Sequence, residues 1–310
     1  TPILFASVVG PAFRNKDCNY YLYMLDGTGL ITAYSSQDTK YVLLVPTNEQ
    51  IESEDIYLRT YADGSKLQQE TEDGLVDVSS SVMRTIVNIH TATGVDGLKT
   101  NGTQVLATQT GFNYWYVKDG KITSSAAYNQ ILEPDNNVEP FSEFTEVKNG
   151  NDNWNNGRTY MYSGTALFQA QEGDGLQHKL SVCNDNRYVY YQFAQLLQKA
   201  GMVMSSNYIF GLAGAYHVIG FIPTNEAIST AIAAGQIPGM DATGAVTSSL
   251  ELRQYLLSYF IRDRENALIS YPYPGSAMKS STYVTASGKS LTYTDSGSSL
   301  SIMVDGKVAN

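Results

Sequence analysis

The chain has 310 residues, 43% of them hydrophobic, which is length enough for two domains of ordinary size and too apolar for a disordered tail. Its net charge is -10 and only 16% of its residues are charged, so it lacks the basic footprint that nucleic acid or an anionic membrane surface requires. No run reaches the about 18 apolar residues of a membrane span.

Tyr outnumbers Phe, 23 to 10, and this Tyr-rich, charge-poor composition suits exported, surface-exposed proteins. No signal peptide is visible at Thr1, and the expectation is that one was removed or lies upstream. Cys18 and Cys183 are far apart and show no metal spacing. Two buried thiols are expected ahead of one long-range disulfide.

Residues 1–19 read as irregular, ending near Cys18. Tyr21, Met24, Leu25 and Thr28 then share one helical face, with Gly29 as a left-handed cap. Phe193, Leu196, Leu197 and Ala200, followed by Gly201, repeat that shape. Next comes the apolar run Tyr41–Val45, which reads as a buried strand ended by Pro46. Thr47 is a good N-cap, Gln50 completes a capping box, and Glu49 sits in the favoured first turn. The unit recurs as Val218–Ile228, where Thr224 keeps the cap, Glu226 keeps the first-turn carboxylate and Ala227 cannot close the box.

A second amphipathic helix is predicted over Val82–His90 and again over Leu252–Phe260. Leu252, Tyr255, Leu256, Tyr259 and Phe260 form one stripe, matched by Val82, Thr85, Ile86, Ile89 and His90. Finally, Gly102–Ile122 aligns without a gap to Gly288–Val308. Gly102, Thr108, Gly111, Asp119, Gly120 and Lys121 match Gly288, Thr294, Gly297, Asp305, Gly306 and Lys307. Both pieces read as β-ribbons turned at Asp-Gly. Four blocks in one order argue for tandem duplication.

This order resembles the fasciclin domain. That family's aromatic or apolar strand followed by Ala-Pro-Thr-Asp/Asn-Glu-Ala stands here as Leu44–Glu49 and Gly220–Ala227. Its Tyr-His pair stands as Ile89-His90 and Tyr259-Phe260, one member kept in each half. Its closing strand resembles Asn156–Ser163, and the second half is expected to lack that strand. The resemblance implies an α+β fold: two tandem fasciclin-like domains, each a β-sandwich or wedge with packed helices. The mixture of short strands and helices without regular alternation agrees. The domains are set at 1–175 and 176–310, with the polar stretch EGDGLQHKLSVCNDN as linker. Ile131–Asn156 reads as a surface insertion before the closing strand.

Residues that carry chemistry are sparse. His90, His178 and His217 have no partners at metal-ligand spacing, and no nucleophile elbow or phosphate loop is present. No metal and no cofactor is expected. Asn149–Gly157 does not follow the calcium-loop pattern. His90, on the apolar stripe, reads first as a core histidine with a hydrogen-bond partner.

Aromatic clusters occur at Phe112–Tyr116, at Tyr188, Tyr190 and Tyr191, and at Tyr271–Pro274. In a strand Tyr114 and Tyr116 face one way and Trp115 the other. Core packing is the leading reading, and a binding platform the second. The candidate binding or motif residues are Asn48, His90, Tyr114, Trp115, Tyr116, Asn225 and Tyr259. The resemblance implies a non-enzymatic adhesion or protein-interaction module, exported to the cell envelope as in bacterial surface lipoproteins. Its partner would be a protein or glycan ligand, and membrane contact would come only through a lipid anchor upstream of Thr1. The alternative is a carbohydrate-binding surface protein using exposed Tyr and Trp, with a hydrolase a distant third.

Overall fold

A computed structural model describes residues 5–110, 113–129, 140–170, 175–212, 217–263, 280–296 and 299–308. The fold is α+β, and the chain separates into two compact units. The first holds Thr1–Ile131 and Asn137–Gln171, and the second holds Glu172–Asn310.

The first unit opens with α1 (Gly10–Arg14), a short 3-10 turn at Lys16–Cys18, α2 (Asn19–Gly27) and α3 (Leu30–Ser35). Then come β1 (Tyr41–Leu44), α4 (Asn48–Glu52), β2 (Ile56–Tyr61), β3 (Gly64–Thr71), β4 (Gly74–Asp77) and α5 (Ser80–Ile89). It continues with β5 (Thr91–Thr93), β6 (Thr103–Ala107), β7 (Tyr114–Lys118), β8 (Lys121–Ser124), α6 (Ser125–Asn129), β9 (Ser142–Val147) and β10 (Gly157–Tyr162). Its main sheet runs β5-β1-β10-β9-β8-β7-β6. Among the described strands only β1 and β10 pair in parallel, with Tyr41 beside Gly157. The sheet curls until Ala92 bridges Thr108.

Successive side chains of β1 alternate between two cores. Val42 and Leu44 point into the curl with Trp115, Val117, Ile122, Tyr160 and Tyr162. Leu43 and Val45 face Tyr21, Met24, Leu25, Met83 and Val87 of the helical layer. A strand buried on both faces must be apolar throughout, which is why this run carries no charge. Gly157 cannot be replaced: its φ is +144°, and a Cβ there would lie 1.9 Å from the Tyr41 carbonyl oxygen. Asn156 beside it is wholly buried. Its Oδ1 accepts from Val8 N (2.9 Å), and its Nδ2 donates to the Tyr34 and Ser36 carbonyls (2.7 and 2.8 Å).

The second unit holds α7 (Gly175–Val182), α8 (Tyr191–Lys199), β11 (His217–Gly220), α9 (Asn225–Ala233), α10 (Ser249–Leu257) and β12 (Phe260–Asp263). It ends with β13 (Ser281–Val284), β14 (Ser290–Asp295), β15 (Leu300–Val304) and β16 (Lys307–Val308). The β11-β12 pair meets the β13-β14-β15-β16 meander at the Ile261–Thr285 bridge. Phe193, Leu196, Leu197, Leu252, Leu256 and Phe260 form its helical core. Ile219, Ile261, Leu291 and Tyr293 form a smaller core beneath the strands. Among the described residues β11 pairs with β12 alone.

Several expectations change. Residues 5–19, within the stretch expected to be irregular, are ordered, because α1 and the segments on either side of it pack Val8, Val9, Ala12 and Cys18 into the core. The stretch read as a linker contains α7, whose Leu176 and Leu180 lie one turn apart and face the helical core. Ile131–Asn156 is not all surface, for β9 sits between β10 and β8, and Trp154 is buried. The polar alternation Ser142-Glu-Phe-Thr-Glu-Val hid that strand.

The duplicated helices also match one residue differently from the predicted stripe. Ser79 and Ser248 are the paired N-caps, so Met83 corresponds to Leu252 and His90 to Tyr259. Val82 is accordingly exposed, and Phe260 opens β12. The ribbons do not align without a gap either. Gly102 N and Ser290 N each donate to the turn aspartate, Asp119 or Asp305, so the first ribbon strands match two residues away from the gapless alignment. A two-residue shift preserves which side chains face the core. Both turns carry the expected left-handed pair, Asp119-Gly120 and Asp305-Gly306. The predictions on Gly111, Phe112, Gly297, Tyr271–Pro274 and residues 131–139 lie outside the described residues.

Candidate functional site

The Pro-Thr-Asn-Glu corners come first. Thr47 Oγ1 accepts from Gln50 N (3.2 Å) while Gln50 Oε1 accepts from Thr47 N (2.9 Å), closing the capping box. Gln50 Nε2 then donates to the Tyr162 and Gly164 carbonyls, both at 3.0 Å, so the cap also anchors the end of β10. Thr224 caps α9 alone, accepting from Ala227 N (3.3 Å).

Asn48 and Asn225 do one job in the two units. Asn48 Oδ1 accepts from Tyr20 N (3.1 Å), and its Nδ2 donates to Lys16 O (3.3 Å) and Asn19 Oδ1 (2.7 Å). Asn225 Oδ1 accepts from Gln192 N (2.8 Å), and its Nδ2 donates to Tyr188 O (2.7 Å). Each amide thus ties the corner to the start of the preceding long helix. A carboxylate there would keep the acceptor and lose the donor.

His90 and Tyr259 occupy one place. The His90 carbonyl accepts from Leu44 N and the Tyr259 carbonyl from Phe221 N, both at 2.9 Å. Each ring meets an aromatic of the first long helix edge-on, Tyr21 at 6.1 Å and Phe193 at 5.3 Å. His90 is wholly buried, and burial pushes its pKa down to about 4. The Ile86 carbonyl can only accept, so Nδ1 carries the proton and donates to it (2.7 Å). Nε2 then accepts from Tyr162 Oη (3.0 Å), which itself accepts from Phe168 N (3.2 Å). Tyr259 instead shares its hydroxyl with Tyr255 (2.6 Å), and burial raises its pKa.

Tyr114, Trp115 and Tyr116 alternate as expected, but they form no open platform. Trp115 is wholly buried, and its Nε1 donates to the Ile89 carbonyl (2.8 Å). Tyr116 is also buried and packs edge-on against Tyr128 of α6 at 5.6 Å; Tyr114 is half-buried. Trp154 donates to the Val147 carbonyl (2.6 Å), under the guanidinium of Arg14. Neither tryptophan offers a face to a sugar. The seven candidate residues do not converge: His90 and Trp115 are neighbours in one core, while Asn48, Asn225 and Tyr259 serve separate internal contacts.

Neither cysteine is in a disulfide, and both are buried, each in its own unit's core. Burial pushes the Cys18 thiol up to about 11. Among the described residues, no cluster of His, Cys, Asp and Glu is placed to hold a metal ion, and no helix is long and apolar enough to cross a membrane.

What the first unit turns outward is different. An open cleft of about 410 Å³ lies between residues 96–100 and the strands β9 and β10. Arg158 pairs with Glu146 there (2.8 Å), and Asp96 and Lys99 leave the lining without net charge. The second feature is the separate β2-β3-β4 sheet. Ile56 and Leu67 bury one of its faces, while Tyr57, Arg59, Lys66, Gln68 and Glu70 line the other. Arg59 pairs with Glu70, and Tyr61 Oη donates to Gln68. At the same place in the duplication, between α9 and α10, the second unit has turns and a single Met240–Val246 bridge, and no sheet. The sheet was readable from the alternation of Ile56, Leu58 and Thr60 with polar neighbours and from Asp63-Gly64 and Asp73-Gly74.

No protein-family model matches the chain, and no curated protein does. Among solved structures the chain is similar to a FAS1 domain pair from the insect cell adhesion molecule fasciclin I, with 11% identity, 95% of this chain and 90% of that chain covered, and a TM-score of 0.31.

Proposed function

We propose that this chain is a non-enzymatic interaction module, an adhesive domain pair exported to the cell envelope, with a protein ligand. The observation that carries this reading is the β2-β3-β4 sheet. It is an addition to one copy of a duplicated fold, and it turns to solvent a polar and aromatic face and an edge that no strand covers among the described residues. The motif residues support the reading from the other side. Asn48, Asn225, Gln50 and His90 spend their polar groups on internal bonds, which makes them builders of the scaffold. Function then sits on what the scaffold carries. The fasciclin-like order of strand, Pro-Thr-Asn-Glu corner, helix and ribbon fits the same role.

Beads coated with the full chain provide the test. They should adhere to bacterial cells more than uncoated beads do. Replacing Ile56–Asp77 by a short Gly-Ser linker should remove most of that adhesion while leaving the circular dichroism of the rest intact. Adhesion equal to that of bare beads, or unchanged without the sheet, would overturn the proposal.

A further inference from the structure

The edge of the added sheet specifies its partner more narrowly, granted the interaction-module reading. β4 pairs with β3 on one side only, with Leu75 opposite Glu70 and Val76 opposite Gln69. Val78 N donates to the Leu67 carbonyl (2.9 Å), so residues 74, 76 and 78 bond inward, and Leu75 and Asp77 turn their N–H and C=O groups outward. Among the described residues no strand lies beyond them. All four residues of β4 are exposed, Leu75 at 51% and Val76 at 52%. Val76 lies on the face of Ile56 and Leu67, so a strand added here would extend a face that is already apolar.

Charge narrows the choice further. Glu72 and Asp73 form the β3-β4 turn, and Asp77 ends the strand; all three are exposed. Asp77 accepts from Gln68 Nε2 (2.7 Å) and meets Lys66 at 3.7 Å, whereas no basic group among the described residues pairs with Glu72 or Asp73. Two copies of this edge would repel each other, which disfavours self-pairing.

We propose that β4 is a docking edge that accepts, by strand addition, an extended segment of a partner protein in which aliphatic residues alternate with Lys or Arg. The backbone of Leu75 and Asp77 supplies the hydrogen bonds. Val76 and Leu75 supply apolar contact on the two faces, and Glu72 and Asp73 select the basic side chains.

The test titrates the isotope-labelled full chain with the peptides Lys-Val-Lys-Val-Lys-Val and Glu-Val-Glu-Val-Glu-Val, both end-capped. The lysine peptide should shift the amide resonances of Leu75, Val76 and Asp77 and bind at least about tenfold more tightly than the glutamate peptide, a difference that added salt shrinks. Leu75→Pro removes an outward N–H that β3 does not use, so the sheet should persist and binding should vanish. The double change Glu72→Lys with Asp73→Lys should reverse the preference between the peptides. Equal affinity for both peptides, shifts centred elsewhere, or undiminished binding by Leu75→Pro would each overturn the docking edge. If the beads adhere but the lysine peptide does not bind, the edge fails and the adhesive module stands. Peptide binding without bead adhesion would keep the docking edge and remove the adhesive module.

Discussion

Tyr162 Oη donates to His90 Nε2 at 3.0 Å, and the two rings stack at 5.9 Å. The bond crosses from the closing strand β10 to the end of α5, and both groups are buried. Burial holds the imidazole in its neutral form, with the Nδ1 proton given to the Ile86 carbonyl and Nε2 left to accept from Tyr162.

That arrangement makes the first unit sensitive to acid. The folded pKa of His90 is about 4, below the ordinary value of 6.5, so the unfolded chain binds more protons between these pH values. Stability is fully present above pH 6.5 and falls as pH drops toward 4, by about 3 kcal/mol at most from this group. Urea unfolding from pH 7.5 to 4.5, monitored by tryptophan emission, measures it. A His90→Gln variant should be less stable at pH 7 and should show a flatter pH profile over this range.

The asparagine ties can be compared directly between the units. Asn48→Ala and Asn225→Ala each leave half-buried backbone groups without their partner, and each should cost about 1–2 kcal/mol. Both tryptophans, Trp115 and Trp154, belong to the first unit. The Asn48→Ala change should therefore move the tryptophan-monitored transition. The Asn225→Ala change should move a calorimetric transition that the tryptophans do not follow.

Gly157→Ala forces a side chain into the Tyr41 backbone at a positive φ. The parallel β1-β10 pairing would have to open. A loss of about 4 kcal/mol or more, or failure to fold, is expected of a change of this kind. Gly29→Ala serves as the comparison: its φ is also positive, yet nothing lies within 4 Å of the added Cβ, so about 1 kcal/mol is expected.

The carbohydrate reading has its own test. With both tryptophans buried and hydrogen-bonded to backbone carbonyls, emission should be blue-shifted and poorly quenched by acrylamide. A panel of saccharides should leave it unchanged. Saturable quenching by one sugar would restore the aromatic-platform reading.

Both thiols should be silent in the native state. Cys18 and Cys183 are buried, and Cys18 is pushed up to about 11, so neither should react with a thiol reagent until the chain unfolds. Two equivalents released only in denaturant is the expected count.

Much of the scaffold was legible in the order of residues. The two corners, the capping box at Thr47 and Gln50, the two long helices and the Asp-Gly hairpins are local features, set by capping chemistry, helical periodicity and left-handed turn residues within a few positions of one another. The strand β9 and the helix α7 were not legible, because their polar sequences become structural only through the strands and core beside them. The sheet β2-β3-β4 carried a readable signal in its alternation and its two Asp-Gly turns, and it is the element that bears the proposed function.

By itself the sequence determined that one architecture occurs twice, with Pro-Thr-Asn-Glu at the hinge of each copy, since those choices rest on short-range backbone preferences. Only the tertiary structure decided which copy positions correspond, that His90 and Tyr259 share a place, that Trp115 is interior, and that β4 is left as an edge. Those outcomes depend on contacts between segments far apart in the chain. There the burial of one side chain is decided by what packs over it, and not by its own neighbours in sequence.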